Sequence, residues 1–334
     1  MRSVFITGGA GYVGSVLIPQ LLADGWKVTC LDTFWFGDYL PRHAGLHIIK
    51  DDIRSVMSWE LWNIEQNLEQ CDALIHLANI SNDPSFDLNA DLSTTINYDT
   101  FEPLVEAAKN CGIKRFINCS SSSVYGLSDN PEVKEAHPLH PMTLYNKFKG
   151  MCEPLLFKHQ SDDFTCVNIR PATVCGYSPG QRLDLAVNIL TNHAVNSDKI
   201  LVTGGSQKRP NLHIQDMCDV YKLMLEAPHE KIQGQTFNVG GENRTILELA
   251  TIVQEEITEL SGKTPPIEIV PNADNRSYWI NSDKIRDTLG FVPKHTVREA
   301  IQDLYGAFAG GLLPNAMTDT RYSNVKRLIE LGIK

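Results

Sequence analysis

Residues 3–14 read S-V-F-I-T-G-G-A-G-Y-V-G, an apolar strand that runs directly into a cluster of glycines. Residues 12–24, which follow, have the apolar spacing of a helix. Glycine permits a tight turn and a close backbone approach to a pyrophosphate, and the amides at a helix N-terminus then hold the phosphate charge. The stretch therefore predicts a dinucleotide-binding turn. Its predicted contacts are Gly8, Gly11, Tyr12, Val13 and Gly14.

The first half of the chain repeats this alternation of strand and helix. Further strands are predicted at 27–32, 46–49, 73–78, 115–120 and 165–170, and helical spacing recurs at 92–111 and 143–159. Such alternation is typical of parallel βαβ units. The predicted fold is therefore α/β, a Rossmann-type doubly wound parallel sheet with a smaller mixed C-terminal substrate-binding part. Ligands of such sheets bind outside the carboxyl ends of the strands.

Beyond about residue 170 the pattern becomes irregular and rich in proline. The run T-F-N-V-G at 236–240 nevertheless looks like one more strand of the main sheet. We therefore expect two interleaved domains. The dinucleotide-binding domain would comprise 1–170 and about 213–240, and the substrate-binding domain about 171–212 and 241–334.

Asp32 ends the second predicted strand, 18 residues after Gly14. A carboxylate at this place can accept hydrogen bonds from both ribose hydroxyls of an adenosine. It would repel a 2′-phosphate, and the following residues 33–36, T-F-W-F, offer no cation to offset that repulsion. The sequence thus predicts NAD rather than NADP.

Two other strand ends face the expected cofactor path. Asp52 and Ile53 follow the third strand and are predicted to hold the adenine edge, although Asp52 equally fits an ordinary helix N-cap. The fourth strand closes with H-L-A, in which Leu77 and Ala78 are predicted cofactor contacts and His76 is predicted to be structural.

Tyr145 and Lys149 stand four residues apart in Y-N-K-F-K, on one face of a predicted helix. The phenol of tyrosine, with a reference pKa near 10, is a poor base at neutral pH. A lysine ammonium and a cationic nicotinamide ring would both lower that pKa, so that Tyr145 could take a proton from an alcohol as hydride leaves its carbon. Following a dinucleotide fingerprint, the pair predicts catalysis rather than an exposed helix pair.

These motifs, in this order and spacing, resemble an extended short-chain dehydrogenase/reductase of the nucleotide-sugar epimerase/dehydratase group. The resemblance extends to R-P-N-L-H-I-Q-D-M at 209–217. I-S-N-D-P-S-F-D-L-N at 80–89 and G-Y-S-P-G-Q-R-L-D-L-A-V-N at 176–188 resemble a subset of bacterial surface-polysaccharide enzymes, including GDP-heptose 4-oxidising ones.

The resemblance implies a catalytic hydroxyl at Ser121, four residues before the tyrosine of V-Y-G, acting with Tyr145 and Lys149. Asn97 becomes a further predicted cofactor contact. The dehydratase branch has an acid and a base directly after this hydroxyl residue, whereas this chain has Ser122 and Ser123. That departure argues against dehydration. We assign Ser122 and Ser120 to backbone support at the strand end.

The substrate that the resemblance implies carries a negatively charged diphosphate. Because the protein has a net charge of -10, binding it requires positively charged side chains at the site. The residues predicted to bind it are Asn82, Ser123, Thr173, Arg182, Asn188, Arg209 and Arg276. Arg209 is the best match to the diphosphate arginine of the group, while Arg182 and Arg276 equally fit solvated surface arginines. Thr173 replaces an asparagine of many relatives, and Asn82 also fits a turn before Pro84.

The predicted function is that of an NAD-dependent nucleoside-diphosphate-sugar 4-epimerase. Its first alternative is a 4-dehydrogenase that releases the ketone, for example from GDP-heptose, and a 4,6-dehydratase, decarboxylase or reductase ranks below. An NAD(H)-sensing regulator would have lost the Tyr145 and Lys149 pair. A reductase of hydrophobic alcohols would not need Arg209.

The acidic balance argues against nucleic acid or an anionic membrane as partner, and the sequence contains no apolar run of membrane-spanning length. The N-terminus enters a strand without a signal peptide's apolar region.

The eight cysteines are scattered without a metal-binding spacing, and Cys30, Cys71, Cys119 and Cys166 lie in apolar surroundings. We therefore expect reduced thiols, no metal and a cytoplasmic protein. The resemblance also implies a homodimer formed through the helices at 92–111 and 143–159.

Overall fold

A computed structural model of the protein describes residues 2–58, 61–271 and 277–333. Its centre is a seven-stranded parallel sheet in the order β10-β6-β5-β4-β1-β2-β3. These strands are β1 (Ser3–Thr7), β2 (Lys27–Asp32), β3 (Leu46–Lys50), β4 (Ala73–His76), β5 (Arg115–Cys119), β6 (Thr165–Pro171) and β10 (Gln235–Val239). The Rossmann-type α/β fold predicted from the sequence is confirmed. The strand predicted at 236–240 is β10, paired in parallel with β6.

Helices cover both faces of this sheet, and its central strands, such as β1 and β4, are apolar and buried on both sides. Val4 and Ile6 of β1 face one core with helix Gly14–Ala23, whereas Phe5 between them faces the other core with helix Phe101–Asn110. All three side chains are fully buried. The period of two along each strand thus divides one apolar run between two hydrophobic layers.

The described residues form thirteen α-helices. They are α1 (Gly14–Ala23), α2 (Leu61–Leu68), α3 (Asp83–Leu88), α4 (Ala90–Thr94), α5 (Phe101–Asn110), α6 (Leu144–Lys158), α7 (Ala186–Asn196), α8 (Ile214–Glu226), α9 (His229–Ile232), α10 (Ile246–Ser261), α11 (Asp283–Leu289), α12 (Val297–Ala309) and α13 (Asn324–Glu330). The helix predicted at 92–111 is not continuous, since a π-helical turn at Thr95–Asp99 separates α4 from α5. The helix predicted at 143–159 is α6.

The remaining strands form two small sheets in the C-terminal half. One has the order β11-β9-β7 and the other pairs β12 with β8. The strands are β7 (Thr173–Cys175), β8 (Ile200–Thr203), β9 (Lys208–His213), β11 (Glu242–Thr245) and β12 (Ile267–Val270). Helices α7, α10 and α12 enclose a core of their own around Val187, Leu249 and Ile301. The division into two domains stays a prediction.

All eight cysteines lie within the described ranges, and each is a free thiol. Among the described residues, no helix is long and apolar enough to cross a bilayer. The same residues contain no group of three or more histidine, cysteine, aspartate or glutamate side chains arranged to hold a metal ion.

Candidate active site

A cavity of about 450 Å³ lies at the carboxyl ends of the parallel strands. The segments that follow six strands of the main sheet contribute to its wall, as expected for this topology. One end, here called the glycine end, is formed by residues 8–14, 31–37 and 51–53. The opposite end, here called the tyrosine end, includes residues 81–83, 119–123, Tyr145, Lys149 and Arg182.

The three predicted glycines of the turn differ in how strictly the surrounding structure requires glycine. Gly8 has φ +70°, and a Cβ added there would lie 2.5 Å from the backbone nitrogen of Ala78. A Cβ on Gly14 would lie 2.3 Å from the carbonyl oxygen of Gly9. Around Gly11 the nearest described atom is the Gly8 carbonyl oxygen at 3.3 Å. Gly8 and Gly14 are therefore required by the fold, whereas a Cβ on Gly11 would require a shift of only a few tenths of an ångström.

A second segment, residues 176–182, packs directly on the glycine turn and is here called the cover segment. The Tyr12 hydroxyl donates to the Gly176 carbonyl at 2.7 Å, and the Ser178 hydroxyl donates to the Tyr12 carbonyl at 2.7 Å. The Gly180 N–H donates to the Ser15 hydroxyl oxygen at 3.0 Å. Three hydrogen bonds thus hold the cover segment over the entrance to α1.

Asn97 and Asn188 are not in the cavity wall that the described residues form. The Asn97 amide exchanges two hydrogen bonds with the backbone of Ile80, at 2.8 and 2.9 Å. Asn188 donates to the Tyr12 hydroxyl at 3.0 Å and to the Arg182 carbonyl at 2.8 Å. Both side chains support residues that line the cavity, so the contacts predicted for them are indirect in this geometry.

Asp32 closes β2 at the cavity wall. Its carboxylate accepts hydrogen bonds from the Ala10 N–H at 2.9 Å and the Phe34 N–H at 2.7 Å. Burial raises the pKa of Asp32 above its ordinary value, while these backbone N–H groups act in the opposite direction. Asp32 thereby holds the glycine turn against the loop after β2.

Asp52 and Ile53 also line the glycine end. The Asp52 carboxylate caps the 3₁₀ turn Ile53–Met57 through the Arg54 N–H at 2.9 Å, and it pairs with the Arg54 guanidinium at 2.8 Å. The helix-cap alternative therefore describes what this side chain does here. Leu77 and Ala78 lie in the cavity wall after β4, and Tyr12 and Val13 also line the cavity.

The glycine end fits a dinucleotide. The N-cap residue of α1, Val13, makes no side-chain capping hydrogen bond, so no side chain at this position competes with a phosphate at the start of the helix. Asn79 lines the same cavity, and its buried Oδ1 has no hydrogen-bond partner among the described residues. A carboxylate, open helix amides and an orphaned polar atom in one apolar cleft suit the ribose, pyrophosphate and amide groups of NAD.

The predicted catalytic residues Ser121, Tyr145 and Lys149 meet at the tyrosine end. Ser121 begins a 3₁₀ turn, where its hydroxyl oxygen accepts from the Ser123 N–H at 3.1 Å and lies 2.7 Å from the Ser123 hydroxyl. The Lys149 ammonium is buried and donates to the Cys119 carbonyl at 2.6 Å. Helix α6 begins with a Thr143 N-cap and presents Tyr145 and Lys149 one turn apart.

Burial raises the pKa of Tyr145 above its ordinary value, and burial lowers the pKa of Lys149. The Arg182 guanidinium and the Asn82 backbone N–H both oppose the first shift. The sequence predicted that Lys149 would lower the pKa of Tyr145. In the structure of the chain alone the pKa of Tyr145 is raised, because desolvation of the phenolate outweighs the charge of Arg182.

The serines on either side of Ser121 have separate partners. The Ser120 hydroxyl donates to Glu153, which forms a buried ion pair with Arg170 at 2.6 Å. The Ser122 hydroxyl lies 3.3 Å from the Tyr278 hydroxyl, and Ser123 donates to the Asn146 side chain. Ser120 is therefore tied to the framework below the sheet edge.

His76 lies beneath the tyrosine end and outside the cavity wall. Its Nδ1 is 2.9 Å from the Thr7 hydroxyl, and its ring packs against Phe101 and Phe116. Burial, together with the nearby Lys149 charge, lowers the pKa of His76 to about 3. The side chain is neutral and structural at pH 7.

The predicted substrate residues are mostly brought together. Asn82, Ser123, Thr173, Arg182 and Arg209 line the cavity, whereas Arg276 lies outside the described residues. The Asn82 side chain also caps α3, at a backbone φ of +79°. Arg182 is not a solvated surface arginine, because its guanidinium pairs with Asp184 at 2.9 Å and only 14% of its side chain is exposed.

The structure adds cavity residues that the sequence did not predict. They include Trp35, Phe36, Asn79, Asp184, Tyr278, Arg321, Asn324 and Leu328. The last three belong to the C-terminal 3₁₀ turn and to α13. Asn324 there contacts Asp184, which lies 140 residues earlier in the sequence. Apolar spacing predicts that such a segment is helical, but it does not predict which distant cleft the helix closes.

The fold, the glycine turn and the Tyr145–Lys149 pair together define an NAD-dependent enzyme of the extended short-chain dehydrogenase/reductase type. The sequence model of the NAD dependent epimerase/dehydratase family matches residues 4–240, and the chain belongs to this family. The cofactor is NAD, as the resemblance implied.

Relatives and solved structures agree on this family and differ in reaction. The chain is 25% identical to a UDP-glucose 4-epimerase of Corynebacterium glutamicum, over 92% of this chain and 96% of the relative. It is 27% identical to UDP-glucuronic acid decarboxylase 4 of Arabidopsis thaliana, over 89% of this chain and 66% of the relative. The structure of MoeE5 in complex with UDP-glucose and NAD is similar, with a TM-score of 0.79, 25% identity and coverage of 93% of this chain and 99% of that one.

Proposed function

We propose that the protein is a nucleoside-diphosphate-sugar 4-epimerase. The observation that carries this proposal is the composition of the tyrosine end, where Ser121, Tyr145 and Lys149 line one cavity wall beside Ser120, Ser122 and Ser123. UDP-glucose 4-epimerases among the relatives support it.

NAD⁺, when bound, accepts a hydride from the sugar carbon and can return it. Tyr145 takes the proton of the C4 hydroxyl, and the Ser121 hydroxyl holds the same oxygen while its charge changes. The Arg182 guanidinium favours the phenolate against desolvation, and the positive charge of NAD⁺ would add to this effect. Return of the proton from Tyr145 completes the reaction after the ketone has presented its other face.

Dehydration would require an acid and a base beside the sugar. The positions directly after Ser121 are Ser122 and Ser123. An aliphatic hydroxyl group is too weak an acid, and too weak a base, to supply either function unaided. Arg209 and Thr173 line the cavity and are the proposed contacts of the diphosphate.

The enclosure of the cavity favours epimerisation over release of a ketone. The cover segment is hydrogen-bonded over the glycine turn, and Arg321 and Leu328 of the C-terminal region line the same cavity. We infer that a dinucleotide that exchanges must pass these segments. Epimerisation restores NAD⁺ in place and needs no such exchange, whereas a 4-dehydrogenase must release NADH in every turnover.

The test is to incubate the purified protein with UDP-, GDP-, dTDP- and CDP-sugars, following bound-cofactor absorbance and product mass. A product of unchanged mass with the C4 epimer's chromatographic position supports the proposal. A product two mass units lighter with stoichiometric NADH identifies the 4-dehydrogenase, and loss of water or carbon dioxide identifies a dehydratase or a decarboxylase. Tyr145→Phe is the control for cofactor-independent background.

We also propose a homodimer that pairs through α5 and α6, as the resemblance implies. Light scattering coupled to size-exclusion chromatography measures the mass directly. A mass near twice 37.3 kDa supports the dimer, and a mass near 37.3 kDa contradicts it.

A further inference from the structure

The C-terminal region lies outside residues 4–240, which the family's sequence model matches, and yet it reaches the tyrosine end. Asn324, the first residue of α13, is 6% exposed. Its Nδ2 donates to the Ser81 carbonyl at 3.1 Å and the Ser81 hydroxyl oxygen at 3.0 Å. Its backbone N–H donates to Asp184 Oδ2 at 3.0 Å. One buried residue thus joins the loop after β4 to the segment that follows the cover segment.

Both partners of Asn324 hold the Arg182 guanidinium. Arg182 Nη1 donates to the Ser81 hydroxyl oxygen at 2.8 Å, and its Nε donates to Asp184 Oδ1 at 2.9 Å. Asp184 Oδ2 also accepts from Asn82 Nδ2 at 3.4 Å. The orientation of Arg182 therefore depends on two side chains that Asn324 fixes.

Asn82 and Arg182 are the groups that act on the catalytic phenol. Both residues line the same cavity as Tyr145, and the Arg182 charge and the Asn82 backbone N–H dipole both favour the phenolate. Asn82 has φ +79° and ψ 156°, a combination that is costly for any residue except glycine and needs support from its surroundings. The other titratable groups near the phenol are Cys119 and Tyr278, and Lys149 follows one helical turn later.

We propose that Asn324 is a positioning residue for Tyr145, which acts by fixing Ser81 and Asp184 and through them the Asn82 N–H and the Arg182 guanidinium. This proposal rests on the proposed function, in which Tyr145 is the proton acceptor. The C-terminal helix thereby completes the active site rather than only covering it.

The first experiment compares Asn324→Ala and the near-isosteric Asn324→Asp with Lys326→Ala, an exposed residue of the same helix. Both Asn324 variants lose the two Nδ2 hydrogen bonds. We expect kcat to fall about 10-fold in each, as is usual when a supporting hydrogen-bond partner is removed, with KM within about twofold. Because a displaced Arg182 no longer favours the phenolate, the rising limb of kcat against pH should move up by about one pH unit. Lys326→Ala should match the wild type.

The second measurement needs no sugar substrate. Protein labelled with ¹³C at the tyrosine Cζ is titrated in its NAD⁺-bound form, and Tyr145→Phe assigns the signal. We expect the Tyr145 signal to titrate below pH 10 in the wild type and at higher pH in both Asn324 variants.

An unchanged Tyr145 titration in folded Asn324 variants overturns the positioning role, as does a wild-type phenol that does not titrate below pH 10. Failure of every nucleotide sugar to react would instead overturn the proposed function, and the titration would still decide the role of Asn324. Circular dichroism and bound-NAD content show whether each variant is folded.

Discussion

The glycine end of the cavity is built from three segments within the first 53 residues of the chain, whereas the tyrosine end is assembled from segments far apart in sequence. At the glycine end, residues 8–14 provide the turn, the start of the helix and the open amides together. At the tyrosine end, Tyr145 depends on Asn82, Arg182, Asp184 and Asn324. The glycine end therefore tolerates little change within its motif. The tyrosine end depends also on residues that belong to no recognisable sequence motif.

The largest expected effect is at Tyr145. Tyr145→Phe keeps the ring but removes the proton acceptor, so we expect kcat to fall about 10³-fold, within the range for loss of general base catalysis. The melting temperature and bound NAD should stay near wild-type values. Steady-state kinetics with the identified sugar measures the loss, and full activity would refute the assignment of the base.

The glycine end is tested by two matched substitutions. Gly14→Ala places a Cβ 2.3 Å from the Gly9 carbonyl oxygen, and we expect it to lower the free energy of unfolding by about 3 kcal/mol. Gly11→Ala meets a described atom only at 3.3 Å, and we expect the fold to persist while the affinity for NAD falls about 10-fold or more. Denaturant unfolding and NAD titration separate the two effects. Equal losses of stability would contradict the distinction.

The sequence predicted the glycine end well because its determinants are local. A strand, a glycine turn, a helix and an acidic strand end each have a recognisable pattern, and the sheet brings them together. Asn324 and Asp184 could not be predicted, since their role depends on how α13 folds back over the cavity. Asn97 and Asn188 show the intermediate case, in which the family pattern indicated the right region and the structure gives each side chain a supporting contact.

The serines after β5 distinguish a reacting hydroxyl from its neighbour. Ser121→Ala should reduce kcat about 10²-fold, because it removes a hydrogen bond to the oxygen on which charge develops. Ser122→Ala should stay within about threefold of wild type, because its hydroxyl lies near Tyr278 at 3.3 Å. If the two variants lose activity equally, Ser121 is not the catalytic hydroxyl.

The smallest expected effect is a pH dependence of stability caused by His76, which lies beneath the tyrosine end. With the pKa of His76 lowered to about 3, the unfolded chain binds a proton below about pH 6.5 that the folded chain does not. Stability is therefore lost as pH falls through this window, by about 2 kcal/mol at pH 5. Urea unfolding at pH 7 and pH 5 measures the loss. His76→Asn should flatten this dependence, with His47→Asn, at an exposed histidine, as the control; the same slope in His76→Asn would contradict the assignment.

Return of the same hydride is the central claim, and a deuterium experiment tests it most directly. The sugar identified in the panel is supplied with deuterium at C4, no NAD is added, and the product is analysed by mass spectrometry and NMR. The account predicts a C4 epimer that keeps its deuterium at C4, formed over many turnovers. A released ketone with deuterium in free NADH would contradict it.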